Sequence, residues 1–155
     1  MSKRMIRRLQ RGDIRWKASR VEPVNESAMR QIGAVVSLTK ELSEADLALF
    51  MLVTGDAQLA TEEPPSPERQ ARQQAPDALL AALLATAAAR HATRPQYARF
   101  RDVTIRFVEP AYTDDLLTAI AEITALDAGQ LHISARCENQ DGRRLAEGEF
   151  HLSDG

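Results

Sequence analysis

Pro76-Asp77-Ala78-Leu79-Leu80-Ala81-Ala82-Leu83-Leu84-Ala85 is the stretch around which the rest of this chain must be arranged. A proline followed by an acidic residue opens a helix, and the helical reading continues over Asp77–Arg90. Its residues are apolar nearly all round. A helix without a polar face belongs inside a core, so the remaining elements have to cover this segment.

Downstream of this helix the chain reads as strands. Val103, Ile105 and Phe107 share one face of a strand that stops at Pro110. Leu117, Ala119, Ala121 and Ile123 alternate in the next, and Leu131, Ile133, Ala135 and Cys137 in a third. Asn139-Gln140-Asp141-Gly142 then reverses the chain into Arg143–Leu152. Long strands, short turns and one buried helix predict an α+β domain with a mostly antiparallel sheet wrapped on that helix.

Upstream, Val36 and Leu38 alternate with Val35, Ser37 and Thr39, which predicts a first strand over about 34–41. Ser43-Glu44-Ala45-Asp46 supplies a serine N-cap with an acidic residue three positions on. The next helix is apolar, running through Leu47-Ala48-Leu49-Phe50-Met51-Leu52-Val53, and ends at Gly55 in a left-handed cap. Residues 62–76 read as a polar, proline-rich loop with a short helix near 67–74.

At 155 residues the chain suits one domain with one core. A 44% apolar and 27% charged composition is that of a soluble globular protein, and a cytoplasmic location is expected. No run reaches the roughly 18 apolar residues that span a bilayer, so no membrane association is expected. The lone Cys137 cannot form an internal disulfide and reads as a core thiol. Residues 1–20 carry eight Lys/Arg against Asp13, a net +7, which leaves −9 on the other 135 residues. The chain therefore divides into a basic N-terminal arm (1–30) and a domain (31–155). The arm contains no recognisable DNA-binding module, and nucleic acid is not an expected partner. No metal-ligand spacing or phosphate-binding glycine loop is present, so neither a metal nor a cofactor is expected. His91, His132 and His151 fall at a helix end and on two strands, and each reads as structural or solvated.

Three blocks within roughly residues 30–152 carry a family resemblance. Gly55-Asp56-Ala57-Gln58-Leu59-Ala60-Thr61 resembles the active-site entry of the MaoC-like (R)-specific enoyl-CoA hydratases, Gly-Asp-x-Asn-Pro-x-His. Arg106-Phe107-Val108-Glu109-Pro110-Ala111-Tyr112-Thr113-Asp114-Asp115-Leu116 is similar to that family's Arg-Phe-x-x-Pro-Val-x-x-Gly-Asp-x-Leu. Asn139-Gln140-Asp141-Gly142, with Gly148 six residues on, is similar to its closing hairpin. The resemblance implies a single hot-dog fold, an acyl-CoA or acyl-carrier thioester as ligand, and a homodimer or larger oligomer.

It also implies a site. Asp56 stands at the family's catalytic aspartate and Thr61 at its catalytic histidine. Gln58, Asp77 and Ala78 stand at substrate-contacting positions, and Pro76-Asp77 stands where His-Gly opens the central helix. Threonine has no proton affinity near neutral pH and cannot replace an imidazole as base. Pro76-Asp77 puts a carboxylate where an enolate would develop, and the Asp77 side chain is expected to occupy the helix-start donors itself. Two functions are then open. One is a catalytically impaired acyl-thioester-binding or partner protein; the other is an active hydratase that works through Asp56.

Overall fold

A computed structural model describes residues 31–55 and 72–153. The basic arm and the segment carrying Asp56, Gln58 and Thr61 lie outside the described residues. Among the described residues the elements are β1 (Val35–Glu41), α1 (Glu44–Thr54), α2 (Asp77–Ala89), β2 (Arg99–Phe107), β3 (Leu116–Asp127), β4 (Gln130–Glu138) and β5 (Arg144–Ser153), with a 3-10 turn at Pro95–Tyr97 before β2.

The five strands form one antiparallel sheet in the order β1-β3-β4-β5-β2. Helix α2 lies across β1, β3, β4 and β5. This is the hot-dog arrangement, and its cause is the alternation already visible in the strands. On β3, Leu117, Ala119, Ala121 and Ile123 are at most 1% exposed. Leu131, Ile133, Ala135 and Cys137 of β4, with Leu145, Phe150 and Leu152 of β5, complete the same face. Leu80, Leu84, Ala87 and Ala88 of α2 descend onto it. Alanines on β3 and α2 let the two layers approach closely, and the leucines fill the space between them.

Helix α1 begins as its sequence dictates. The Ser43 N–H donates to Asp46 Oδ2 at 2.8 Å and the Asp46 N–H donates back to Ser43 Oγ at 3.2 Å, a reciprocal capping box. Burial of the Asp46 carboxyl opposes its ionisation. The two Ser43 donors, together with Lys40 Nζ at 3.0 Å, outweigh that and hold it below the usual aspartate range. The helix stops at Gly55, whose φ of 74° is the left-handed conformation that glycine adopts without strain.

Two expectations are corrected. The short helix over 67–74 is not present in the described part of that range: Gln74 is extended and forms an isolated antiparallel bridge with Tyr112. Pairing with residues 111–113 offers the backbone there better-satisfied hydrogen bonds than one turn of helix would. Helix α2 is also less enclosed than its composition suggests. Ala78, Ala82 and Thr86, on the side away from the sheet, are exposed.

The β3–β4 hairpin turns through Ala128-Gly129 with φ of 42° and 81°. Two consecutive positive φ values define the turn that matches strand twist and favours Asn-Gly. Alanine is strained there. Ala128→Asn is expected to stabilise the protein by roughly 0.5–1 kcal/mol, read as a higher urea midpoint at unchanged m-value.

Candidate functional site

Helix α2 starts at Pro76, whose ring fixes φ at −60° and whose side chain makes no capping bond. The Asp77 side chain does not cap the helix either, contrary to expectation. Asp77 and Ala78 occupy the first two helical positions and both are exposed. Leu79 is the first residue of the helix whose N–H is taken, by Pro76 O at 3.0 Å. Two backbone donors thus stand at the positive end of an apolar helix, next to a surface carboxylate. Donors so placed can receive a carbonyl oxygen. The neighbouring charge weakens them towards an oxygen that turns anionic.

The chain leading into α2 is held in place by a buried carboxylate. Ala75 N–H donates to Ala111 O at 2.8 Å, Thr113 N–H to Gln73 O at 2.8 Å and Gln73 N–H to Thr113 Oγ1 at 2.9 Å. Beneath this short ladder the Asp115 side chain, 3% exposed, accepts from the Tyr112 N–H at 2.8 Å, from Gln140 Nε2 at 3.0 Å and from the Arg72 guanidinium. Burial disfavours its charge, but these donors prevail and hold the carboxyl below the ordinary aspartate value. Arg72 also donates through Nε to Thr113 O at 3.1 Å and lies over the Tyr112 ring, 5.7 Å from its centre.

One carboxylate therefore joins the entry to α2, the 111–115 turn and the β4–β5 hairpin. Asp114 beside it has φ of 70°, at the place where the family pattern has glycine. Aspartate tolerates that conformation better than most residues, and its N–H is spent on Leu42 O at 2.7 Å. A cleft of about 400 Å³ opens on this cluster, lined by Arg72, Glu109, Tyr112, Asp115, Gln140 and Arg143.

Of the residues singled out from sequence, Asp77 and Ala78 come together at the start of α2, while Asp56, Gln58 and Thr61 lie outside the described residues. Cys137 is fully buried in the core, and burial together with Glu138 pushes its thiol up to about 11, which leaves it unreactive. His91 is buried as well, with Nε2 2.9 Å from Ala121 O. Its Nδ1 has no hydrogen-bond partner among the described residues. Among the described residues no group of three or more His, Cys, Asp or Glu is placed to hold a metal ion, and no helix is long and apolar enough to cross a membrane.

Sequence reasoning misses the Arg72–Tyr112–Asp115–Gln140 cluster. Asp115 and Gln140 both fall in motif blocks that read as turns, and nothing local shows that one side chain grips the other across 25 positions.

Known proteins share this outline. The sequence profile of the Thioesterase superfamily matches residues 79–146, from the first turn of α2 to the start of β5. No curated protein matches the chain in sequence. Among solved structures, the (R)-hydratase from A. caviae involved in PHA biosynthesis is similar at 22% identity and a TM-score of 0.67, over 81% of this chain and 97% of that one. The ChsH1–ChsH2 complex from Mycobacterium tuberculosis gives 19% identity and 0.67, over 81% and 99%. A hypothetical thioesterase with coenzyme A from Streptococcus pneumoniae TIGR4 gives 14% and 0.57, over 81% and 83%. At these identities the likeness shows a shared hot-dog fold.

Proposed function

We propose that this protein is a MaoC-like hot-dog domain that binds an acyl thioester, from CoA or an acyl carrier, without efficient hydratase chemistry. The observation that carries the reading is the open start of α2. Asp77 and Ala78 present free N–H groups for a thioester carbonyl, and the Asp77 carboxylate opposes the enolate that hydration would build there. Thr61, in place of the family's histidine, supplies no base.

Wild-type protein is expected to bind crotonyl-CoA in calorimetry and to hydrate it negligibly. The double substitution Thr61→His with Asp77→Gly is expected to restore measurable turnover by returning the imidazole and removing the opposing charge. Robust wild-type hydration abolished by Asp56→Asn would overturn the reading in favour of an active hydratase. The match to the Thioesterase superfamily supports a second reading, in which the same helix start polarises a thioester for hydrolysis. Release of free thiol from crotonyl-CoA would establish it.

We also propose that the working form is a homodimer or larger oligomer joined along β2. This strand is at an edge of the sheet, as β1 is at the other, and its inward side is poorly covered: Phe100, Val103 and Phe107 are 37%, 47% and 41% exposed. An unpaired edge carrying apolar side chains is a template for a second strand. Sedimentation equilibrium is expected to give a dimer or larger species that Val103→Lys converts to monomer. A stable 17.2 kDa wild-type monomer at micromolar concentration would exclude it.

A further inference from the structure

The outward face of the sheet is polar and lies on the side away from α2. Towards one end it carries an arginine–glutamate ladder, in which Arg106 and Arg144 pair with Glu147, and Arg136 and Arg144 with Glu138. At the other end the row changes character. His132 of β4 pairs directly with His151 of β5, and His151 pairs directly with Asp102 of β2. The two imidazole centres are 4.1 Å apart with the rings tilted by 45°, and His151 Nδ1 stands 3.9 Å from Asp102 Oδ2. Nothing in the proposed thioester chemistry uses these residues.

We infer that His132 and His151 form a two-imidazole site for a borderline divalent transition-metal ion such as Zn²⁺ or Ni²⁺, with the Asp102 carboxylate close by. Three features of the arrangement support it. Nitrogens sharing one zinc ion lie about 3 Å apart, from bond lengths of 2.0–2.1 Å. Rings 4.1 Å apart and inclined to one another reach that spacing by side-chain rotation alone. The Asp102 carboxylate, 3.9 Å from His151 Nδ1, places negative charge beside the pair, which attracts a divalent cation. The position is also open. The side chain of His151 is 38% exposed, and the β3 residue paired with His132 is the small Ala125.

The backbone beneath is firmly set, because Thr124 Oγ1 donates to His132 O at 3.2 Å beside the β3 bulge. With no third protein ligand among the described residues, water completes the coordination and the site is an open one. The preference is for borderline ions, since imidazole suits zinc and nickel while Mg²⁺ and Ca²⁺ require oxygen ligands.

The rest of the chain makes the test simple. The whole chain has three histidines and one cysteine, and His91 and Cys137 are buried in the core, so one pair of imidazoles is accessible. Untagged full-length protein titrated with ZnCl₂ and with NiCl₂ at pH 7.5 is expected to bind one ion per chain and to ignore MgCl₂. His132→Gln and His151→Gln are each expected to abolish binding. Asp102→Asn is expected to weaken it, because it removes the nearby negative charge. Unchanged circular dichroism of the metal-free variants separates lost ligands from lost fold. Binding that persists in the His132→Gln/His151→Gln double variant, or no zinc or nickel binding by the wild type, would overturn the assignment. Neither outcome bears on the thioester reading.

Discussion

Asp115→Ala is expected to lower stability by about 3 kcal/mol, a drop in thermal midpoint of roughly 10 °C for a chain of this size. The side chain lies 3% exposed beneath the entry to α2, and removing it strands three donors at once: the Tyr112 N–H, the Gln140 amide and the Arg72 guanidinium. Each buried donor without a partner costs about 1–3 kcal/mol. Arg72, 43% exposed, and the exposed Gln140 recover water, which keeps the total below a simple sum.

The pH dependence has a definite sign. The folded pKa of Asp115 lies below its unfolded value of about 3.9, so its contribution is fully present above that pH and is lost as pH falls through the folded value. Urea titrations of wild type and Asp115→Asn should therefore differ at pH 7 and converge in strong acid. A constant gap between them would show that the stabilisation does not depend on the charge. Because the same carboxylate fixes the residues leading to Asp77 and Ala78, Asp115→Asn is also expected to weaken crotonyl-CoA binding, on the proposed function.

The second large effect is expected at Gly148. This residue pairs with Ile105 of β2 on one side and Ala135 of β4 on the other. A Cβ built on it would stand 2.6 Å from Thr104 O, 3.1 Å from Ile105 Cγ1 and 3.2 Å from Phe150 Cε2. The first of these is backbone and cannot swing aside; the other two are side chains already fitted against the core. Gly148→Ala must push β2 away from β5, at about 2–3 kcal/mol. Since β2 carries the proposed dimer edge, the variant is expected both to melt earlier and to dissociate more readily in sedimentation. An alanine variant as stable as wild type would show that β2 shifts at little cost.

Much of this architecture was legible residue by residue. Two-residue alternation in β3 and β4 set which side chains enter the core, and it holds because the pleat sends neighbours to opposite faces whatever the rest of the chain does. The Ser43–Asp46 box and the Gly55 stop were equally readable, since a cap is a contact between residues three or four apart. A mostly antiparallel sheet on one helix followed once that helix was apolar nearly all round and four strands came after it, while the hot-dog assignment came from the family resemblance.

What only the tertiary structure decided are contacts between groups distant in sequence. Gly148 is glycine because another strand's carbonyl lies where a methyl would go. Asp115 became a buried hub because folding brings Arg72 and Gln140 to it from 43 and 25 positions away. His132 and His151, each an ordinary strand residue when read alone, became neighbours through the β4–β5 register. The start of α2 was legible as Pro76-Asp77, but its lack of a side-chain cap was not, because capping depends on where a side chain can reach. Sequence thus determined the faces of the elements, through the local geometry of the backbone. Which groups meet across those faces was set by strand register and layer packing, which no single segment encodes.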